Sequence, residues 1–112
     1  MTDRLPPHSL QAEQGVLGAI LLDPVNGLDA CSDVDPSVFY DLRHRELFEI
    51  LRTMHEERIP IDLVTIGNHL TDTGRMDVVG GLSYVIGLQD TVPSSANLGF
   101  YLGILRDKRS EE

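Results

Sequence analysis

Tryptophan is absent from this chain of 112 residues, and only 5% of its residues are aromatic. Proteins that hold single-stranded nucleic acid by base stacking need several aromatic faces, so this composition argues against such a platform. Lysine occurs once, as Lys108. A phosphate-binding loop ends in Gly-Lys-Ser or Gly-Lys-Thr. No such triplet occurs, so these residues cannot form a nucleotide-hydrolysing site of that kind.

Cysteine is also scarce, because Cys31 is the single one and no internal disulfide can form. A reducing compartment fits this usage, and we expect Cys31 to be a small apolar core residue. The longest apolar run, residues 16–22, is far too short to span a membrane, and no secretory signal peptide is visible. We therefore expect a cytoplasmic domain with no membrane partner.

The charge balance is acidic, with 9 Lys and Arg residues against 18 Asp and Glu residues, a formal net charge of −9. Affinity for nucleic acid comes mainly from cations that neutralise phosphates, so direct DNA binding is not expected and protein partners are favoured. The four histidines are scattered along the chain. We expect no metal site, no cofactor and no catalytic residue within these residues.

Apolar residues recur at helical spacing, and no alternating strand pattern of useful length is present. Short connections marked by proline or glycine separate these segments. The sequence therefore predicts an all-α domain, a compact bundle of about six helices. We divide it into an extended N-terminal arm over residues 1–8, a helical head over 9–93, and a last helix within 94–112.

The first helix is predicted to be central, with neighbours on both sides. Ser9 is a good N-cap for it. One apolar arc contains Leu10, Val16, Leu17, Ile20 and Leu21, and a small-residue side contains Ala12, Gly15, Gly18 and Ala19. Two glycines inside a helix indicate close approach of another backbone. Glu13 falls within the apolar arc. It is either a buried functional acid or, as we favour, a carboxylate that interacts with the free backbone N–H groups of its own first turn.

Aspartates are the predicted caps of the following helices: Asp23, Asp35, Asp41 and Asp62. Pro60 is expected to stop one helix, and Gly74 to adopt a left-handed C-terminal cap. Residues 75–79 are predicted to form a connector, for which an extended conformation is one option. Gly80-Gly81 is predicted to open a short helix with Leu82, Val85 and Ile86 inward. Ser94 or Ser95 is expected to cap the last helix.

Two groups of side chains are candidates for partner contacts. Tyr84 points away from the apolar face of its helix, so it either anchors a partner or packs on a neighbouring helix of the head. In the last helix, Phe100 and Ile104 lie off the main stripe of Leu98, Tyr101, Leu102 and Leu105. A helix that is apolar on two sides either meets a second partner or covers the head's own core.

Six segments, in order along the chain, resemble one family. The first is Pro6-Pro7-His8-Ser9-Leu10-Gln11-Ala12-Glu13-Gln14-Gly15-Val16-Leu17-Gly18, and the others are residues 35–40, His44 with Leu47-Phe48, and residues 60–66, 79–84 and 92–97. Together they resemble the N-terminal domain of bacterial or phage replicative DNA helicases of the DnaB type. The similarity covers roughly residues 4 to 109.

This resemblance implies a helical head followed by a helical hairpin, whose truncated first arm would be the last helix here. Six copies would form a collar, arranged as a trimer of dimers, that binds a DnaG-type primase. A separate motor domain, absent from these residues, would use ATP and Mg²⁺ to translocate 5′ to 3′ on DNA. Gln11 and Tyr84 match positions that affect coupling to primase, although family members often carry glutamate at the position of Gln11. Candidate subunit-interface residues are Phe100, Tyr101, Ile104 and Leu105.

Two other functions remain open from the sequence. The chain could be a free-standing regulator that mimics this domain and binds a helicase ring. It could also be a helix-turn-helix transcription factor, although its acidic balance argues against that function.

Overall fold

A computed structural model describes residues 9–110, and this part of the chain contains six α-helices and two 3-10 turns. The helices are α1 (Leu10–Leu22), α2 (Pro24–Ala30), α3 (Leu42–Glu56), α4 (Leu63–Asp72), α5 (Leu82–Gln89) and α6 (Leu98–Ser110). The turns are Pro36–Val38 and Asp77–Val79. The predicted all-α fold is confirmed, whereas the predicted extended arm lies outside the described residues.

Helix α1 is the centre of the fold, and it packs against α2, α3, α5 and α6. Its glycines permit this, and the predicted close approach of another backbone occurs at Gly18, whereas Gly15 meets a side chain. A Cβ at Gly15 would lie 2.8 Å from Cδ2 of Tyr101 in α6, and one at Gly18 would overlap the carbonyl oxygen of Leu88 in α5. Leu10, predicted to lie on the apolar arc, is instead 40% exposed, whereas Ala12 and Glu13 of the same turn are buried.

Side-chain caps fix where three of the helices begin. The Ser9 hydroxyl accepts a hydrogen bond from the backbone N–H of Ala12, and the Asp41 carboxylate does the same for Arg43. Asp62 and Thr65 form a reciprocal capping box at the start of α4. Asp23 differs from its predicted role, because its carboxylate accepts from Asn26 Nδ2 at 2.9 Å and makes no cap bond to a backbone N–H.

Two helices end in the same left-handed motif. Gly74 has φ +68° after α4, as predicted. Helix α3 ends before Pro60 because Arg58 adopts φ 62°, which lets the N–H of Ile59 reach the carbonyl of Met54 at 2.9 Å. A non-glycine residue in this region carries a steric cost, so the bonds that follow must offset it.

Residues 77–79 lie in the predicted connector and form a 3-10 turn, so the extended option does not hold there. Two further predictions of local structure were wrong. The last helix begins at Leu98 rather than at Ser94, because the Ser94 hydroxyl bonds the N–H of Ala96 and the intervening residues form a turn. Ile86, expected to face inward, is 39% exposed, since Val85 and Leu88 take the core side of α5.

The core is aliphatic, apart from Phe39 and Phe48, whose ring centroids lie 5.1 Å apart. Cys31 is fully buried in it, as predicted, and burial raises the pKa of its thiol to about 11. Leu98, Leu102 and Leu105 of α6 close the core over α1. The last helix therefore packs on the head, and the proposed division at residue 94 stays a prediction.

Candidate partner-binding site

A chain of polar side chains crosses the inside of the head and links three helices. His44 of α3 contacts Glu13 of α1 through Nδ1, at 2.7 Å from Oε1, and Tyr84 of α5 through Nε2, at 2.6 Å from Oη. Glu13 is fully buried and His44 is 1% exposed. Buried polar groups of this kind hold a structure in one arrangement only when every member is hydrogen-bonded.

Glu13 also holds the backbone segment that leads into α3. Its carboxylate accepts hydrogen bonds from the backbone N–H groups of Tyr40, at 2.6 Å, and of Asp41, at 3.2 Å. The predicted partners, N–H groups of the first turn of its own helix, are therefore wrong. The structure instead gives it backbone donors from a segment 27 and 28 residues further along the chain.

The hydrogen-bond directions follow from the donors available. A carboxylate accepts, so the Nδ1–H of His44 donates to Glu13. In neutral imidazole Nε2 then accepts the hydroxyl proton of Tyr84. The side-chain amide of Gln14 donates to the same hydroxyl oxygen at 3.5 Å, the long end of the range. The tyrosine hydroxyl therefore connects α1, α3 and α5.

Arg43 covers the ring of Tyr84 from the outer side. Its guanidinium carbon lies 4.1 Å from the ring centroid, in cation–π geometry. The same guanidinium holds Asp41 through two hydrogen bonds, at 2.9 and 3.2 Å. These bonds lower the pKa of Asp41 to about 2 and raise that of Arg43.

Of the two alternatives for Tyr84, the structure therefore shows packing on a neighbouring helix. The ring is only half-buried, so part of it and the guanidinium of Arg43 still reach the surface. Gln11 is exposed on α1, one turn before Gln14, and residues three apart share a helix face. The structure thus brings Gln11 and Tyr84 to the same side of the head, and their contact with a partner stays a prediction.

The four candidate interface residues of α6 lie in different environments. Leu105 is 2% exposed and belongs to the core, and Tyr101 packs on Gly15. Ile104 is partly buried against the core, whereas Phe100 is 74% exposed. Of these four, the side chain best placed to meet a second subunit is therefore that of Phe100.

Sequence reasoning missed His44 and Arg43 as members of this site. A signal for His44 was present, because it lies three residues before Leu47 and four before Phe48, on the buried stripe of α3. A polar residue on that stripe, together with Glu13 on the apolar arc of α1, indicates a buried pair. The stacking of Arg43 on Tyr84 joins positions 41 residues apart and has no local signal.

Over residues 9–110, no three His, Cys, Asp or Glu side chains are grouped so that they could hold a metal ion. No helix in the same range is both long and apolar enough to cross a membrane.

The fold and its network define a small all-α domain that is built around one central helix. A family model described as the DnaB-like helicase N-terminal domain matches residues 5–107. The chain therefore belongs to this family.

Curated relatives include two replicative DNA helicases from bacilli. DnaC of Bacillus subtilis is 38% identical over 109 residues, covering 96% of this chain and 24% of its own length. DnaB of Geobacillus stearothermophilus is 36% identical over 107 residues, with the same coverage. The chain thus spans about a quarter of the length of these relatives.

A solved relative confirms the fold. The crystal structure of the N-terminal domain of DnaB helicase from Mycobacterium tuberculosis superposes with a TM-score of 0.86 at 32% sequence identity. The match covers 94% of this chain and 73% of the other.

Proposed function

We propose that these residues form the collar domain of a hexameric replicative DNA helicase, where they dock a DnaG-type primase and support assembly of the ring. The observation that carries this proposal is the family match over residues 5–107. The site described above adds a physical basis, since it presents Gln11, Arg43 and the edge of Tyr84 on one side of an acidic head.

The catalytic work belongs to the parent protein in this proposal. A motor domain would bind ATP and Mg²⁺ and drive the helicase 5′ to 3′ along DNA in the cytoplasm. The head would contribute no catalytic group. It would not bind DNA directly, because the net charge of the chain is −9. By holding primase at the ring, it would raise the local concentration of primase near the unwound strand.

Self-association is the second part of the proposal. The exposed ring of Phe100, beside the half-buried Ile104, provides an apolar contact on the outer side of α6. Static light scattering of the 112-residue protein over a range of concentrations measures this association. We expect Phe100→Ser to shift the equilibrium towards monomer.

A binding assay with purified DnaG-type primase tests the docking role. We expect the 112-residue protein to bind it, Gln11→Ala to weaken binding because it removes an exposed amide, and Tyr84→Ala to weaken binding further. Tyr84→Phe distinguishes the contribution of the ring to primase binding from that of the hydroxyl, because it keeps the stacking with Arg43 and removes the hydrogen bond to His44.

Glu57→Gln is the matched control, since it is an exposed substitution about 20 Å along α3 from His44. Primase binding that is undetectable for the unaltered protein, or equal for all four variants, would contradict the proposed site.

A further inference from the structure

The surface between α4 and α5 contains an apolar trough that the head's own folding does not fill. It consists of two cavities of about 380 and 410 Å³, and both are lined by Leu63 and Val64. The first cavity extends to Leu22 and Gln89, and the second to Met76 and Leu82. We call this continuous surface the α4–α5 trough.

Helix α5 contributes one lining residue to each cavity, Gln89 to the first and Leu82 to the second. Ile86, four residues after Leu82, lines neither cavity but is 39% exposed. Helix α4 has 10 residues and is therefore about 15 Å long, which matches about three turns of a bound helix. Amphipathic helices dock in such grooves through apolar residues at positions i, i+3 or i+4, and i+7.

The apolar residues of the trough are held on rigid elements. Val64 is 73% exposed, yet it lies in the first turn of α4, which the capping box of Asp62 and Thr65 fixes. Ile66, two residues further on, anchors α4 in the core. A partner would therefore meet a preformed surface and would not have to order it.

The charges around the trough favour a cationic partner. Asp62 lines the first cavity, Asp23 and Asp90 adjoin lining residues, and Asp77 follows Met76 at the second. No lysine or arginine lines either cavity. Arg75 directly precedes the lining residue Met76, but its guanidinium is paired with Glu46.

A second copy of this chain would bring the same carboxylates against these and would be repelled. A helix with lysine or arginine beside its apolar stripe would be attracted.

We propose that the α4–α5 trough binds an amphipathic α-helix of another protein, which inserts its apolar stripe between α4 and α5 and places lysine or arginine side chains against the flanking aspartates. This site is separate from Tyr84. Tyr84 follows Leu82 by two residues, so the two side chains leave α5 about 200° apart. The proposal does not depend on primase binding at Tyr84.

A designed peptide tests the proposal directly. The probe is a 14-residue helix with leucine at one face and lysine at all other positions, and its partner is the 15N-labelled 112-residue protein at about 0.15 M salt, where exposed charges are screened. We expect amide shifts to cluster on α4, α5 and Leu22. The same peptide with glutamate in place of lysine should not bind.

Two substitutions that leave net charge unchanged provide the specificity control. Val64→Ser should raise the dissociation constant about tenfold, because one buried valine contact is lost. Leu42→Ser removes a similarly exposed apolar side chain, 67% exposed, from the start of α3, where it lines neither cavity, and should change the dissociation constant less than twofold.

Shifts spread over all acidic surfaces, equal weakening by both substitutions, or binding of the glutamate peptide would overturn the proposal. Dilution-dependent shifts of trough residues without peptide would indicate that a second copy occupies it, and would overturn the proposal as well.

Discussion

Replacing Glu13 by alanine tests whether the buried network stabilises the head. The change removes the acceptor from the N–H groups of Tyr40 and Asp41 and from Nδ1 of His44. A buried donor left without a partner costs about 1–3 kcal/mol. Tyr40 is 39% exposed, so water can reach its segment, and we assign about 1 kcal/mol to each backbone group. His44 is 1% exposed and is assigned about 2 kcal/mol, which gives a total of about 4 kcal/mol.

Urea unfolding, followed by helical circular dichroism, measures this loss. With a slope of about 1.5 kcal/mol per M, the urea midpoint should fall by about 2.7 M. Glu13→Gln retains one acceptor oxygen and should lose about half as much free energy. Glu57→Ala, on the exposed end of α3, is the control and should change stability by less than about 0.5 kcal/mol. A loss below about 1 kcal/mol for Glu13→Ala would refute the reasoning, because it would show that the three donors find other partners.

Three further predictions concern single positions. Gly18→Ala places a Cβ against a carbonyl oxygen of α5 and should lower the unfolding free energy by about 2 kcal/mol. Gly103→Ala, on an open helix face, should raise it by about 0.5–1 kcal/mol, and the reverse order in thermal unfolding would contradict both assignments. The bonds from Arg43 lower the pKa of Asp41 from 3.8 to about 2, so their stabilisation is complete above pH 3.8 and is lost as pH falls towards 2. Asp41→Asn should flatten the stability curve over that interval, and an unchanged curve would argue against the pairing. The pKa of Cys31 is raised to about 11 by burial, so a thiol-specific disulfide reagent at pH 8 should label it only as fast as the protein unfolds, whereas faster labelling would show local opening.

The features that the sequence predicted well are local ones. Ser9, Asp41 and Asp62 bond backbone groups two or three residues away, so the cap is visible in the sequence itself. The two glycines of α1 indicated close neighbours, and Gly15 and Gly18 do meet α6 and α5. Patterns of this kind were sufficient for the all-α class and for the central place of α1.

The features that could not be predicted from the sequence depend on residues far apart along the chain. Glu13 and His44 are 31 residues apart, and His44 and Tyr84 are 40 apart, so neither bond has a local pattern. The left-handed residue that ends α3 is Arg58, and residue type alone favours glycine there. The exposure of Ile86 likewise depends on how α5 is rotated over the core, which helical spacing cannot decide in a helix of 8 residues.

The contact between α1 and α6 has a consequence for synthesis. The ribosome releases α1 first, but the leucines of α6 that cover it are made about 80 residues later. Until then, the central helix has its glycine-lined side open, and the nascent chain cannot reach its final state. Truncations that stop before Leu98 should therefore be bound by chaperones and degraded, however intact their remaining helices are.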